Sequence, residues 1–600
     1  MSDVNASLNL RAARRSLRSL PGVEIVGDWT AVGSLWALPC RLHISVGQGS
    51  LVPASTDWFV VSGADYPWDT LKIYPAKENG ITATFPHQAY NGEGATEEPY
   101  RSGALCLNVP GHLLGRRAVD PEPFAATGPD SRLAWHLVRA LGWLQAAEAG
   151  RLLPPGDPFE LPEYSAVHVG RLTLAFLENS ESFSRWLSIT ETCGFVELSS
   201  WPAQPLLVIV REFVSASGKP VLAYSWGDAA IGATSVERAA WLRLPSVPVL
   251  KPWQAPRTWG ELRQYCREHQ VGLDEALRQV FARLRDGKEH LLLAGFPIPR
   301  VMDGDAEQMH WLAIRLPVLS SGDVFVNGFR PGARIAHWLV DRKNAVADSQ
   351  PICWQNSENW TPEELGTRGR LPAALSGRNV LLIGGGAMGS AIGELLIRGG
   401  VRRLTIMDDD TLKTGNLCRH TLLLQDVMKN KAEQLGERLR SASPHAQVVA
   451  TKEAFPPTSA ESRTIVAACD LVLDCTADDK VIRKLASFTW GSRRFFASVW
   501  LGLRGRRVFC FSAAGSTFPV GDFDKLVQPW LRKESEEPGA DDLPREGVGC
   551  WHPVFPAGAH DVWLLASAVV KHLSGVLSQP NVRPDLAVFE QAGWTSSSRT

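Results

Sequence analysis

One stretch of this 600-residue chain collects the residue types that nucleotide chemistry needs. Gly384, Gly386 and Gly389 follow an apolar run at 380–383 and precede a helical pattern from Ser390. Glycine permits a tight turn and lets backbone N–H groups approach a phosphate, and a helix N-terminus favours the negative charge there. A second apolar run, 404–407, ends at Asp408, where an acid can hold a ribose hydroxyl. Asp410, Asn416, Arg419 and Lys431 then follow in order. A hydride-transfer enzyme has no use for two cations and an amide at that place. An enzyme that splits ATP between its first two phosphates has, because charge must be offset on both sides of the breaking bond.

Two further sets carry possible chemistry. Residues 470–479 read as a strand ending in acids, with Asp478 and Asp479 where ligands of open α/β sheets bind. An acid there can equally cap the next helix. The ten cysteines are scattered singly with no Cys-x-x-Cys pair, so neither a disulfide framework nor a zinc site is expected. Cys469 and Cys475 flank an apolar strand, Cys510 lies within one, and Cys418 sits between Leu417 and Arg419. Cys106 lies in Gly103-Ala-Leu-Cys-Leu107. Cys550 follows a charged run, 532–549, expected to be mobile, and precedes a helical run at 560–573. Reactive thiols need exposure and a nearby cation or donor, a part His552 or Arg545 could play for Cys550. A free cysteine taken alone is more often a small buried hydrophobe.

The Gly-x-Gly-x-x-Gly-Ser turn, Asp408 and Asp410, Asn416-Leu417-x-Arg419 and Lys431, taken together and in order, resemble the ThiF/MoeB and ubiquitin-activating family of adenylyltransferases. The resemblance implies a Rossmann-like, doubly wound adenylation domain that uses ATP and Mg²⁺. It implies that Gly384, Gly386, Gly389, Asp408, Asp410 and Asn416 hold the nucleotide, while Arg419 and Lys431 offset phosphate charge. The metal aspartate is then Asp478, with Asp479 as the alternative, and Cys550 takes the activated carboxylate as a thioester. A homodimer through this domain is also implied, with Arg368 or Arg370 reaching across. Many bacterial relatives carry a zinc knot that this chain lacks.

The first part of the chain positions the other cysteine. A helix with Leu10, Ala13, Leu17 and Leu20 on one face precedes strand-like runs at 36–45, 58–62 and 71–74. Phe85-Pro86-His87-Gln88, a polar loop at 91–96, the Cys106 segment and a helical run at 131–148 complete it. This order is similar to a ubiquitin-conjugating domain of α+β fold, with Cys106 as its thioester cysteine. The family's His-Pro-Asn is absent, and His87, Asn91 and Asn108 are the candidates for its role.

Length implies several domains, drawn at 1–160, 161–372 and 373–600, the middle one a mixed α/β spacer. Hairpin signals around 215–218 and a Thr258-x-x-Glu261 capping box toward Arg285 mark that spacer, as does a Thr361-Pro362 helix start. A formal charge of −1 leaves no broad footprint for nucleic acid. No apolar run is long enough to span a membrane, so a cytoplasmic enzyme is expected. A conjugating domain ahead of an activating one resembles the ubiquitin-transferase-like proteins of cyclic-oligonucleotide antiphage (CBASS) systems. That implies activation of a protein C-terminus, that of a cGAS-like nucleotidyltransferase, and ligation to target amines. The rival readings are a sulfur-carrier adenylyltransferase and a non-catalytic ATP-binding scaffold.

Overall fold

The computed structural model describes residues 6–17, 20–107, 130–164, 172–233, 235–536, 544–546, 552–553, 556–579 and 581–591. The fold is mixed α/β throughout, in two compact units. One holds residues 1–223 and 235–359, and the other holds 224–234 and 360–600.

The first unit opens with α1 (Leu8–Ser16), whose Ser7 side chain caps the Leu10 amide. Strands β1 (Val23–Ile25), β2 (Thr30–Val32), β3 (Leu35–His43), β4 (Ser55–Ser62) and β5 (Leu71–Pro75) form an antiparallel sheet. Helix α2 (Asp130–Glu148) buries Leu133, Leu137, Ala140, Leu144 and Ala147, a spacing that keeps one stripe facing the core. Leu10 and Ala13 of α1 share that core. The 104–106 segment lies against β5, with the Leu105 amide donating to Ile73 O at 2.9 Å.

The same unit contains a nine-stranded mixed sheet. Its strands are β6 (Thr173–Phe176), β7 (Cys193–Trp201), β8 (Gln204–Ser215), β9 (Pro220–Ala223), β10 (Ser235–Arg243), β11 (His290–Pro299), β12 (Ala306–Leu316), β13 (Cys353–Trp354) and β14 (Asn356–Asn359). Spatial order is β13-β12-β11-β10-β7-β8-β6-β14, with β9 on β8. The expected hairpin is present between β8 and β9. The expected capping box opens α4 (Trp259–Glu268), where the Thr258 hydroxyl takes the Glu261 amide. The helix does not continue to Arg285, however. Gln270 takes a φ of +57° and Gly272 starts a separate α5 (Leu273–Phe281), so a left-handed residue splits the run in two. Trp186, on α3 (Ser180–Leu187), and Trp311 are core, and both donate to Glu178 Oε1, at 2.8 and 2.9 Å.

The second unit is built on a seven-stranded sheet. It comprises β15 (Asn379–Ile383), β16 (Arg403–Met407), β17 (Gln447–Thr451), β18 (Leu471–Asp474), β19 (Arg494–Leu501), β20 (Arg507–Gly515) and β23 (Asp585–Glu590). Order is β17-β16-β15-β18-β19-β20-β23; the first five run parallel, β20 pairs antiparallel with β19, and β23 pairs antiparallel with β20. Helices on both faces explain why β15 is a continuous apolar run. Val380 and Leu382 pack into one core, Leu381 and Ile383 into the other. Around the sheet run α6 (Ala387–Arg398), α7 (Lys431–Arg440), α8 (Asp479–Ser487), α9 (Val520–Ser535) and α10 (Ala559–Leu577). The first residues of the charged run at 532–549 are therefore helical. A two-stranded ribbon, β21 (Arg545–Glu546) and β22 (His552–Pro553), brackets residues 547–551. Among the described residues, no helix is long and apolar enough to cross a membrane.

Candidate active site

After β15 the chain goes to β16 and β17 on one side, then crosses to β18 on the other, so the carboxyl end of β15 is a topological switch point. Such points leave a crevice in doubly wound sheets. The glycine turn sits there. Gly384 has a φ of +88°, which glycine adopts without strain. A Cβ on Gly389 would lie 1.9 Å from Gly384 O, so only glycine lets α6 start this close to its strand. Gly386 is the N-cap of α6 without a side-chain cap, and a Cβ there would meet nothing within 4 Å. The helix start is therefore open to an anion.

Asp408, at the end of β16, is wired to this turn. Its Oδ2 accepts the Gly385 amide at 2.7 Å and its Oδ1 the Asp410 amide at 2.9 Å. Burial raises its pKa, against the pull of those amides and of Lys431. Asp410 Oδ2 lies 2.5 Å from Lys431 Nζ. Burial works against the charged Asp410, but the Lys431 bond and charge outweigh it, and its pKa is lowered. The Asn430 side chain, the cap of α7, also donates to Asp408 O at 3.0 Å. Gly385, Asp408, Asp410 and Lys431 thus form one connected set.

Asn416 closes a single 3₁₀ turn, its Oδ1 accepting the Lys413 amide at 3.1 Å. Arg419 is half-buried and follows in the same loop. Between them and the glycine turn stands a residue whose part the sequence did not announce. His420 Nε2 lies 2.7 Å from Gly385 O, and its Nδ1 accepts the Leu422 amide at 3.1 Å. That pairing makes Nε2 the donor. Burial first, then the charges of Lys431 and Arg419, push its pKa down to about 4, so the ring is neutral.

Asp474 was also missed. It is 1% exposed, its Oδ1 accepting the Thr476 hydroxyl at 2.6 Å and its Oδ2 the Ser498 hydroxyl at 2.7 Å. Burial raises its pKa. It fixes the loop that follows β18, whose Thr476 packs against Gly384. Asp478 is exposed at the head of α8, where its Oδ1 caps the Lys480 amide at 2.8 Å. Asp479 is the first helical residue and exposed. Among the described residues, no three His, Cys, Asp or Glu side chains gather as a ready metal cage. A magnesium ion that keeps its waters and is bound through phosphates needs only one or two carboxylates, and the exposed acids fit that. Arg368 ends a 3₁₀ turn, and Arg370 lines a cavity with Arg398, Arg402 and His445 at the amino ends of the strands.

Cys550 lies outside the described residues, between the two ribbon strands. Its rivals in the same unit fare differently from one another. Cys469, Cys475 and Cys510 all have their pKa raised by burial, whereas Cys418 is exposed. Cys106, in the first unit, is exposed. Asn91 offers nothing to it: both amide hydrogens go to Ile81 O and Ala83 O, and its oxygen accepts from Arg101. Asn108 lies outside the described residues. His87 stands opposite Cys106, its carbonyl accepting the Cys106 amide at 2.8 Å.

Comparison with known proteins bears on the whole chain. The family described as the Cap2 central linker domain matches residues 150–360, and the ThiF family matches residues 363–497. The molybdopterin-synthase adenylyltransferase of Escherichia coli K12 is 35% identical over 111 residues, 18% of this chain and 43% of its own. Among solved structures, the E. coli tRNA N6-threonylcarbamoyladenosine dehydratase TcdA in complex with AMP matches at 18% identity. It covers 34% of this chain and 87% of its own, with a TM-score of 0.25. The ATP-dependent ubiquitin transferase-like protein Cap2 of Enterobacter hormaechei subsp. hoffmannii is 34% identical over 577 residues, 95% of this chain and 94% of its own. With that identity held across nearly its full length, the chain belongs to the family of ATP-dependent ubiquitin transferase-like proteins of the Cap2 type.

Proposed function

We propose that the protein activates the C-terminal carboxylate of a protein substrate by adenylation, carries it as a thioester and ligates it to amines of target proteins. The observation that carries this reading is the connected set at the switch point. A glycine turn with an open helix start is tied through Asp408 to an acid–lysine pair. A carboxylate is already ionised and needs no general base to attack the α-phosphate. What it needs is charge compensation, which Lys431 and Arg419 supply. Asp408 and Asn416 orient the nucleoside, and Gly386 admits the phosphates. Asp478 is the residue that would hold Mg²⁺, which when bound offsets phosphate charge.

Pyrophosphate leaves as the acyl-adenylate forms. The Cys550 thiolate then attacks the acyl carbon and AMP departs, leaving a thioester. Transfer to Cys106 exchanges one C–S bond for another, and attack by a lysine amine gives the isopeptide bond with Cys106 sulfur as leaving group. An acceptor tethered on the same chain has a high effective concentration for the thioester. The modified protein in this reading is a cGAS-like nucleotidyltransferase of an antiphage system, and the working assembly is a cytoplasmic homodimer.

Ligand-dependent melting is the direct test, since a ligand stabilises the state it binds. ATP with Mg²⁺ is expected to raise the melting temperature and NAD is not. Stabilisation by NAD alone would overturn the assignment.

A further inference from the structure

The acceptor cysteine is held by a turn, and the turn is held by a second segment. Cys106 N donates to His87 O at 2.8 Å and Ala89 N to Ala104 O at 2.9 Å, a short antiparallel ladder centred on Gln88 and Leu105. Gln88 and Leu105 are buried, whereas Cys106 is exposed and His87 half-buried, as expected for residues alternating across a ladder. His87 has a φ of +55°, a region few residues with a Cβ adopt without something to hold them.

Glu160 supplies that hold. Its Oε1 accepts the His87 amide at 3.4 Å and its Oε2 lies 2.9 Å from His87 Nδ1. Glu163 Oε2 accepts the Tyr90 amide at 2.8 Å, three residues further along both segments. Arg257 then ties the strap down, donating to Glu163 O at 3.0 Å and Tyr164 O at 3.2 Å while standing 3.8 Å over the Tyr90 ring. Gln88 is already committed to Phe85 N and Gly103 O. The 85–90 turn is thus gripped from the 157–164 side.

We propose that Glu160 is a positioning residue for acyl transfer at Cys106, acting through the His87 turn; the inference rests on reading Cys106 as the acceptor. In the transfer the amine nitrogen bonds to the acyl carbon as the C–S bond breaks. The electron pair leaves on sulfur, and the amine proton passes to solvent. Rates of such steps fall steeply when the reacting carbon is misplaced, so a turn that fixes the cysteine's backbone matters.

The grip is also tuned by protonation. The Glu160 hydrogen bond raises the His87 pKa, with the charges of Glu160 and Asp157 and the Leu152 carbonyl adding to it. Burial works against the charged Glu160, yet the bond and charge of His87 outweigh it and its pKa is lowered. The ion pair is therefore complete between those two values, and fades as pH rises through the raised histidine value.

The test uses the full-length protein and a synthetic peptide thioester that acylates cysteine directly, with discharge to free lysine followed by peptide mass spectrometry. Glu160→Ala is expected to slow discharge from Cys106 about fivefold and to speed hydrogen exchange in the 104–106 peptide by a similar factor. Exchange in the 58–62 peptide of β4, in the same unit as Glu160 and Cys106, unchanged, controls for unfolding. Glu160→Gln keeps an acceptor but no charge, so the ratio of wild-type to Glu160→Gln rates is expected to fall toward one as pH rises. Equal rates for wild type and both variants at every pH would overturn the inference while leaving the acceptor reading intact. Failure of wild-type Cys106 to take the acyl group at all would overturn both.

Discussion

The Lys431 ammonium lies 2.5 Å from Asp410 Oδ2, and the Lys431 amide bonds the carbonyl of the same aspartate at 3.0 Å. The first residue of α7 is thereby pinned, backbone and side chain, to the loop that leaves β16. The cation is delivered to the crevice by a strand end and a helix start rather than by a free arm.

Lys431→Ala and Arg419→Ala are each expected to lower ATP–pyrophosphate exchange about a hundredfold or more, the usual cost of losing a charge-stabilising group. Asp410→Asn, which loosens Lys431 without removing it, is expected to cost about tenfold. The measurement is isotope exchange in the presence of the carboxylate substrate. Normal exchange in both alanine variants would end the adenylation assignment.

Two neighbouring glycines are expected to fail in opposite ways. In Gly389→Ala the new methyl would meet the Gly384 carbonyl, a backbone atom that cannot swing aside. A loss of about 1–3 kcal/mol or more in urea unfolding follows. Gly386→Ala meets nothing within 4 Å and keeps stability, but its methyl stands where a phosphate would approach, so ATP affinity drops. Equal stability losses in the two would show that the close approach at Gly389 is not what the fold requires.

His420 gives a pH prediction. The folded chain holds it neutral with a pKa near 4, whereas an unfolded histidine titrates near 6.5. Between those values the unfolded chain binds a proton that the folded chain refuses, so stability falls as pH drops through the window. His420→Gln removes that proton. Relative to the variant, the wild type is expected to lose on the order of 2 kcal/mol between about pH 7 and pH 4.5. Parallel unfolding curves across that range would refute it.

Much of the candidate site was legible because its residues are ordered along one short stretch and are positioned locally. Gly384, Gly389 and Asp408 are fixed by strand–turn–helix geometry alone. His420 and Asp474 were not legible, since each acts on backbone or hydroxyl groups that only the sheet brings near. A histidine directly after Arg419, and an acid ending an apolar strand, were the only hints. In the middle region the Thr258 capping box was plain, yet the break before α5 turns on Gln270, a residue type that gives no sign of a left-handed backbone. Strand order there escaped the sequence for another reason. Hairpin rules predict neighbours such as β8 and β9, but not the insertion of β6 between β8 and β14.

The two cysteines are expected to fail at different steps. Cys550→Ala keeps pyrophosphate exchange but shows no thioester on either site. Cys106→Ala still loads Cys550, seen as a band that thiol reductant removes, yet yields no stable conjugate. Conjugation by Cys106→Ala at the wild-type rate would make the first region a binding module, with transfer directly from Cys550.

The parallel pairing of β6 with β14 joins Thr173 to Asn356 and Phe176 to Asn359, and the Asn359 side chain bonds both the amide and the carbonyl of Glu178. The nine-stranded sheet therefore begins and ends at the same margin. Its earliest strand waits through some 180 residues of synthesis for its partner, since those hydrogen bonds span a sequence separation of 181. Until the ribosome has delivered β14, β6 has only β8 beside it and Glu178 lacks its amide partner. Such long-range closure makes for slow folding. A chain stalled before residue 359 would expose an unfinished sheet margin, the kind of edge on which nascent chains aggregate.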